Sequence, residues 1–154
     1  MTGTVPTTVQ DEVRHLVDAH TAAHNAGDAE SIVALYAPDA RSFDLRPPLE
    51  YRSSRDQRAD QLQTWFGGFA GPVAFEVRDL TVEASGDVAF AHSLTSMTAT
   101  PHGSPGSFTL WFRVTLGLRR IDGTWLITHE HKSTPFYMEM AADYSFKAAV
   151  DLEP

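Results

Sequence analysis

The sequence contains no cysteine among its 154 residues, which excludes a disulfide framework, a thiolate nucleophile and a zinc–thiolate site. No apolar run approaches the roughly 18 residues that a membrane-spanning helix needs, so no membrane partner is expected. The N-terminal segment lacks a basic stretch followed by an apolar one, and we therefore expect no signal peptide and a cytoplasmic location. Neither a G-x-S-x-G hydrolase motif nor a Walker or dinucleotide-binding glycine pattern occurs, and we predict no cofactor.

Basic residues are also few, since 12 lysines and arginines stand against 20 acidic residues and give a net charge of −8. Sequence-independent binding of nucleic acid relies on clustered basic side chains, so this balance argues against such a partner. The arginines that do cluster are interleaved with acidic residues or lie at turns, and we predict that they form solvent-exposed faces. These arginines are Arg52, Arg55, Arg58, Arg119 and Arg120.

The length and composition indicate one globular domain that spans residues 1–154. A hydrophobic content of 42% and a charged content of 21% are typical of such a domain and supply enough apolar side chains for a core. Residues 136–154 form a C-terminal tail, in which we predict a last helix at 138–150.

Three helices are predicted in the first half of the chain, because apolar residues recur there at helical spacing. Capping boxes of Thr7 with Gln10 and of Ser54 with Gln57 would begin the first and third helices, and Asp28 would begin the second. A short strand is expected before the third helix. The predicted ranges are 8–26 and 28–36 for two helices, 40–45 for the strand and 54–66 for the third helix.

Four strands are predicted after the helices, because apolar and polar residues alternate there between turn signals. Helices followed by a run of antiparallel strands indicate the α+β class, with the helices packed on one face of a curved sheet. A sheet longer than its helices can cover leaves a hollow, and such hollows commonly bind ligands. The predicted strands are 73–83, 87–98, 107–121 and 124–133.

The last strand can turn either of two sets of side chains toward this hollow. A two-residue turn at 122–123 would place His129 and His131 inside, whereas a three-residue turn would place Thr128 and Glu130 there. Two histidines on one face could share a metal ion, but the sequence offers no evident third ligand, and we predict no metal site.

Four segments resemble the nuclear-transport-factor-2-like (NTF2-like) superfamily and, within it, the ketosteroid-isomerase-homologue group with its SnoaL-like members. The resemblance implies a cone-shaped, cystatin-like fold, in which a curved antiparallel sheet wraps around N-terminal helices and encloses a pocket. The register of that group favours Glu130 inside and the two histidines outside, in a network with Trp111 and Arg113. The segments are HNAGDAESIVALYAPDARSFD at 24–44, WFGGFAGPVAFEVRDL at 65–80, GDVAFAHS at 86–93 and RVTLGLRRIDGTWLITHEHKSTP at 113–135.

The resemblance also implies an activity, namely cofactor-independent proton transfer on a small apolar carbonyl compound such as a polyketide- or steroid-like metabolite. The reaction would be an isomerisation, a dehydration or a cyclisation. The general base of true ketosteroid isomerases falls on Asp44, and His20 replaces their oxyanion-hole tyrosine. Their second donor falls at or beside Leu116 and is missing.

The implied site contains three catalytic groups beside the base. His20 and His92 would donate to the developing oxyanion, and Glu130 would be a second acid or base. A structural alternative stays open for His20 and His92, since each could be a hydrogen-bonded core histidine, and Asp44 could be a solvated strand-end residue. The predicted ligand-binding residues are Tyr36, Trp65, Leu94, Phe112, Leu116, Thr128 and Lys132.

A second function is predicted as the alternative. The segment 113–135 also resembles the association domain of calmodulin-dependent kinases, which is an oligomerisation module, so the chain could be a non-catalytic binding or association module. In either case we expect a homodimer through the convex face of the sheet. Trp111, Trp125 and Ile127 would make that face too apolar to remain exposed.

Overall fold

The computed structural model describes residues 8–154, within which three helices and five strands form one α+β unit. The predicted fold class is therefore confirmed. The helices are α1 (Val9–Asn25), α2 (Ala29–Val33) and α3 (Arg55–Phe66). The strands are β1 (Tyr36–Phe43), β2 (Ala74–Ser85), β3 (Val88–Ala99), β4 (Phe108–Ile121) and β5 (Thr124–Ser133).

The helix boundaries follow from capping groups. Ser54 and Gln57 form the predicted capping box of α3, and Asp28 accepts from the Ser31 amide at the start of α2. The capping box of α1 is formed by Thr8 with Asp11. The box predicted with Thr7 involves a position outside the described residues.

The first strand begins earlier than predicted, at Tyr36, and shortens the second helix, which ends at Val33. The reason is tertiary, because β1 pairs in parallel with β5 and the Ile127 amide donates to the Leu35 carbonyl at 2.8 Å. Pro38 is tolerated because β1 is an edge strand. The sheet order is β1-β5-β4-β3-β2, and the other three pairings are antiparallel.

The turn at 122–123 has two residues, yet it does not place the histidines of β5 in the hollow. In a regular ladder, a two-residue connection would point His129 and His131 into the hollow. Instead, Glu130 pairs with Leu116 and is only 4% exposed, so Glu130 occupies the inner face. The register that the family resemblance favours is present, although its cause is not the longer turn.

A β-bulge at Thr128 explains the difference. Gly117 and Leu118 are consecutive on β4, but their partners on β5 are His129 and Ile127, so Thr128 is one residue more than the ladder can pair. This extra residue moves every later side chain of β5 to the face opposite the one that simple alternation assigns. The strand therefore turns odd-numbered residues inward before the bulge and even-numbered residues inward after it.

The predicted apolar convex face is wrong for two of its three residues, and the bulge is the reason. Trp125 and Ile127 precede the bulge and lie in the core, where Ile127 is 0% exposed. Trp111 remains on the outer face, with the Arg78 guanidinium 4.6 Å from its ring centroid.

The main core fills the space between the first two helices and the inner face of the sheet. Its buried side chains include Val13, Leu16, Val17, Ile32, Tyr36, Leu116, Leu118, Trp125 and Ile127. A second buried cluster, centred on Met97 and Phe112, lies toward α3 and packs against Trp65. The helices cover the two clusters unequally, which leaves a hollow beside the second one.

The C-terminal tail contains no helix, and the helix predicted at 138–150 is wrong. The chain instead turns back on itself. Phe136 and Ala148 form a β-bridge, and the Tyr137 amide donates a hydrogen bond to the Lys147 carbonyl at 2.9 Å. Tyr144 adopts a positive φ of 63°, which a continuous helix excludes. Within residues 8–154, no helix combines the length and the apolar character that crossing a bilayer requires.

Candidate functional site

The hollow is a cavity of about 340 Å³ between α3, the loop after β1 and the inner face of the sheet. Its apolar lining residues, which we call the apolar wall, include Leu62, Trp65, Phe69, Phe75, Met97, Phe108, Leu110 and Phe112. Its polar lining residues, which we call the polar wall, include His24, Tyr36, Ser42, Asp44, Arg58, Gln61, Glu130 and Lys132. An apolar volume with a few converging polar groups is the usual composition of a small-molecule site.

A continuous chain of polar contacts crosses the polar wall. His20 Nε2 lies 2.8 Å from the Tyr36 hydroxyl, which donates to Glu130 Oε2 at 2.8 Å. Lys132 Nζ lies 3.3 Å from Glu130 Oε1 and 3.8 Å from Asp44 Oδ1. Residues of α1, β1, β5 and the segment after β1 thus converge on one network, which is buried at Tyr36 and Glu130 and reaches the surface at Asp44. We call these five residues the polar chain.

The proton positions in the polar chain follow from what each atom can donate. The single hydroxyl proton of Tyr36 goes to Glu130, so His20 Nε2 must carry a proton and donate to the Tyr36 oxygen. His24 donates from Nδ1 to the His20 carbonyl at 2.8 Å, because a carbonyl can only accept. Burial lowers the pKa of His20 to about 3 and that of His24 to about 4, so both rings are neutral near pH 7.

Charge pairing keeps Glu130 and Lys132 ionised in the cavity wall, although Glu130 is buried and Lys132 is half-buried. Burial alone would raise the pKa of Glu130, but the adjacent Lys132 ammonium, His20 and the Tyr36 hydroxyl together lower it to about 2. Burial alone would lower the pKa of Lys132, but the Glu130 and Asp44 carboxylates raise it above its usual value. The polar chain therefore presents an ammonium group between two carboxylates.

Asp44 lies immediately after β1, at the rim of the cavity, with its side chain 26% exposed. Its Oδ1 accepts from the Leu45 amide at 2.9 Å, and its Oδ2 lies 3.3 Å from Arg46 Nε. These contacts aim the carboxylate across the cavity mouth toward Lys132. Asp44 is thus the carboxylate of the polar chain that a ligand can reach most easily.

Most of the predicted site residues surround cavities. Asp44, Glu130, Tyr36, Trp65, Phe112 and Lys132 line the main cavity. His20 and Leu116 line a second, smaller cavity of about 50 Å³ that lies behind Glu130 and Lys132. His20 is therefore separated from the main cavity by Tyr36, which it holds in place.

Three predicted site residues do not line either cavity. Thr95 and Met97 turn inward from β3, so alternation turns His92 and Leu94 to the outer face, where His92 is exposed and stacks on Phe90. Thr128 is the bulge residue, and its hydroxyl donates to the Gly117 carbonyl at 3.2 Å. The predicted position of His92 inside the cone is wrong.

His129 and His131 lie on the outer face, and their rings pack edge-on against Phe43 at centroid distances of 4.7 and 5.3 Å. The partner is thus Phe43 on β1 and not the predicted Trp111, while Arg113 donates to Ser133. Among the residues that the structure describes, no group of three histidine or acidic side chains could hold a metal ion.

Sequence reasoning missed Arg58 as a cavity residue. Arg58 is half-buried, not solvent-exposed as predicted, because its guanidinium turns over the Tyr36 ring at 4.6 Å. The helical spacing of Arg58 with Leu62 and Trp65, at i, i+4 and i+7, could have indicated that all three share one face.

Comparison with known proteins identifies the family of this fold and site. Residues 13–137 match the SnoaL-like domain family. No curated protein matches the chain. The solved structure of an NTF2-like protein from Pseudomonas putida KT2440 is similar at 32% identity and a TM-score of 0.78, covering 98% of this chain and 100% of that one.

Two further solved structures are similar at lower identity, where the likeness concerns the fold alone. A ketosteroid isomerase-like protein from Erwinia carotovora atroseptica shares 21% identity at a TM-score of 0.65, covering 80% of this chain and 94% of that one. A protein from Xanthomonas campestris, named after the calcium/calmodulin-dependent protein kinase II association domain, shares 24% identity at a TM-score of 0.69, covering 85% and 91%. The family match over residues 13–137, together with the 32% identical NTF2-like structure, places the chain in the SnoaL-like family of the NTF2-like superfamily.

Proposed function

We propose that the protein binds a small, largely apolar carbonyl compound in the main cavity and moves a proton on it without a cofactor. The observation that carries the proposal is the pairing of Lys132 and Asp44, 3.8 Å apart, at the polar end of an otherwise apolar cavity. An ammonium donor beside a carboxylate acceptor is the combination that abstraction of a proton next to a carbonyl requires.

In this proposal Lys132 donates to the carbonyl oxygen of the substrate, and Asp44 removes a proton from the adjacent carbon. The enolate that forms carries its charge on the oxygen, beside the ammonium group. Low dielectric in the apolar cavity strengthens that interaction. Asp44 then returns the proton to another carbon in an isomerisation, or to a β-hydroxyl group, which leaves as water as the enolate collapses, in a dehydration.

The other groups of the polar chain hold Lys132 and Tyr36 in place. His20 uses its Nε2 proton on Tyr36, so we assign it a positioning role and transfer the predicted oxyanion donation to Lys132. Glu130, with its pKa of about 2, is a poor base and serves as the fixed counter-ion of Lys132.

The test is hydrogen–deuterium exchange of α-protons, followed by proton NMR in D₂O with a panel of aryl and polycyclic ketones. The protein is expected to accelerate exchange of at least one ketone, and Asp44→Asn should lower that rate at least about a hundredfold. Asp39→Asn is the matched control, because Asp39 is an exposed carboxylate on β1, the strand that leads to Asp44. An unchanged exchange rate in Asp44→Asn would exclude Asp44 as the base.

A binding or association module is the second candidate. The outer face of β3 exposes Val88 and Phe90, at 57% and 45%, and Phe43 is 38% exposed on β1. We propose that these residues, rather than the buried Trp125 and Ile127, form a homodimer interface. Sedimentation at micromolar concentration should give a dimer, and Phe90→Lys should give a monomer. A chain that dimerises and binds ketones but exchanges none of them is a module and not an enzyme.

A further inference from the structure

Arg58 differs from the other cations of the cavity in the partners that it has. Lys132 lies within 4 Å of two carboxylates, and Arg46 lies 3.3 Å from Asp44. Arg58 instead donates to two neutral acceptors, the Ser42 hydroxyl at 2.9 Å and the Ala40 carbonyl at 3.2 Å. Within residues 8–154, no carboxylate forms an ion pair with it.

The charge of the cavity lining is correspondingly unbalanced. Three cations, Arg46, Arg58 and Lys132, face two carboxylates, Asp44 and Glu130, which leaves one positive charge. His24 and Tyr36 also line the cavity, but both are neutral near pH 7 and leave this net positive charge unchanged. A half-buried guanidinium without a counter-ion is costly unless a ligand supplies one.

Further hydrogen-bond donors surround Arg58. Ser42 accepts from Arg58, which leaves the hydroxyl proton of Ser42 available for another acceptor. The amide oxygen of Gln61 accepts from Ser53 at 3.3 Å, which leaves the Gln61 amide N–H groups available as well. All three side chains line the cavity, Arg58 and Gln61 from α3 and Ser42 from β1.

We propose that Arg58, with Ser42 and Gln61, is an anion-binding subsite that selects an otherwise apolar ligand with one carboxylate. A guanidinium offers the planar pair of donors that a carboxylate accepts, and charge-assisted bonds of this kind are stronger than neutral ones. The apolar wall, with Trp65 and Phe112, would enclose the ring system of the ligand. The inference rests on the proposed function only in taking this cavity as the ligand site.

The test compares two probes of nearly equal shape, 2-naphthoate and 2-acetonaphthone, by isothermal titration calorimetry. The wild-type protein should bind 2-naphthoate about tenfold more tightly or better, because its carboxylate can form a charge-assisted bond with Arg58 that the ketone cannot form. Arg58→Gln should abolish this preference and leave the affinity for 2-acetonaphthone within about threefold. Arg52→Gln is the matched control, because Arg52 is exposed and paired with Glu50.

Arg58→Lys keeps the charge and should keep part of the preference, which separates loss of charge from loss of folding. The proposal is overturned if the wild-type protein binds the two probes equally or binds neither. It is also overturned if Arg58→Gln retains the preference or loses both probes to the same extent. If the preference depends on Arg58 but no ketone exchanges its α-protons in D₂O, the anion subsite stands and the proposed proton transfer fails.

Discussion

The Tyr36 hydroxyl donates a hydrogen bond to Glu130 at 2.8 Å and accepts one from His20 Nε2 at the same distance. One hydroxyl thus joins a helix and the last strand of the sheet through a neutral histidine and an ionised carboxylate. Because burial and pairing shift the pKa values of all three groups, these pKa values differ between the folded and the unfolded chain. This difference makes the stability of the fold depend on pH.

We predict that stability falls as the pH is lowered from about 6.5. The pKa values of His20 and His24 drop from 6.5 to about 3 and about 4 on folding, so the unfolded chain takes up protons first. Each histidine then costs up to about 1.4 kcal/mol per pH unit below 6.5, and its contribution is constant above that pH. Glu130 adds a loss between pH 4.5 and about 2, because folding lowers its pKa.

Urea unfolding between pH 7.5 and 5 measures this slope. His24→Gln should reduce it by about half, whereas His92→Gln, at an exposed position, should leave it unchanged. A free energy of unfolding that stays constant across this range would contradict the buried neutral state of both histidines.

Tyr36→Phe should destabilise the fold by about 1–3 kcal/mol, because removal of the hydroxyl leaves buried His20 and Glu130 without their shared partner. It should also raise the pKa of Glu130, since one of the bonds that favour the carboxylate is lost. Chemical denaturation measures the first effect and carbon-detected NMR titration of the carboxylate the second. Tyr137→Phe is the control: it removes an exposed hydrogen bond from the Tyr137 hydroxyl to Asp151 and should change the free energy of unfolding little.

Ile127→Ala should cost about 2–5 kcal/mol, because this side chain is 0% exposed in the main core. The comparison is Ile121→Ala in the same hairpin, where the side chain is 38% exposed and the loss should be much smaller. Equal losses in the two variants, measured by urea unfolding at pH 7.5, would mean that β5 does not enter the core as described.

Ligand binding should quench the fluorescence of Trp65. Of the three tryptophans, it is the one that lines the main cavity within residues 8–154. Titration with 2-acetonaphthone should reduce the emission of the wild-type protein, and Trp65→Phe should remove most of that response. Trp111→Phe, on the outer face beside Arg78, should retain it. A full response in Trp65→Phe would place the ligand elsewhere.

Deletion of Thr128 should leave probe binding largely intact, because without this extra residue a regular ladder turns both Ile127 and Glu130 inward. Calorimetry with 2-naphthoate measures the outcome, and loss of binding in a folded deletion variant would contradict the register described for β5. Gly117→Ala is the control opposite the bulge. Its added Cβ would meet His129 Cβ at 3.4 Å, which is an ordinary contact, so binding should persist.

The order of elements could be predicted from the sequence because each depends on local signals. Alternation between two turns placed β5 at 124–133, and Ser54 with Gln57 marked the start of α3. The short strand was placed too late because its start depends on pairing with Ile127, which is distant in the chain.

The site was less predictable because it depends on how elements meet. The face of β5 depends on one unpaired residue, Thr128, which no periodicity reveals. His92 was assigned to the wrong face because the strand register was inferred from related sequences and not from pairing. The charge pattern predicts a solvated Arg58, because the spacing of charged residues along a helix does not reveal that a cavity lies against the same face.

The bulge at Thr128 also divides the work of β5 between two halves of one strand. The half before the bulge supplies apolar side chains to the core. The half after the bulge supplies two charged side chains, Glu130 and Lys132, to the polar wall of the cavity. Substitutions in the second half can therefore alter the chemistry of the cavity without disturbing the packing that Trp125 and Ile127 provide. For protein engineering, residues 130 and 132 are consequently the positions of β5 at which the charge of the cavity can be changed, and exchanging both together avoids leaving one buried charge unpaired.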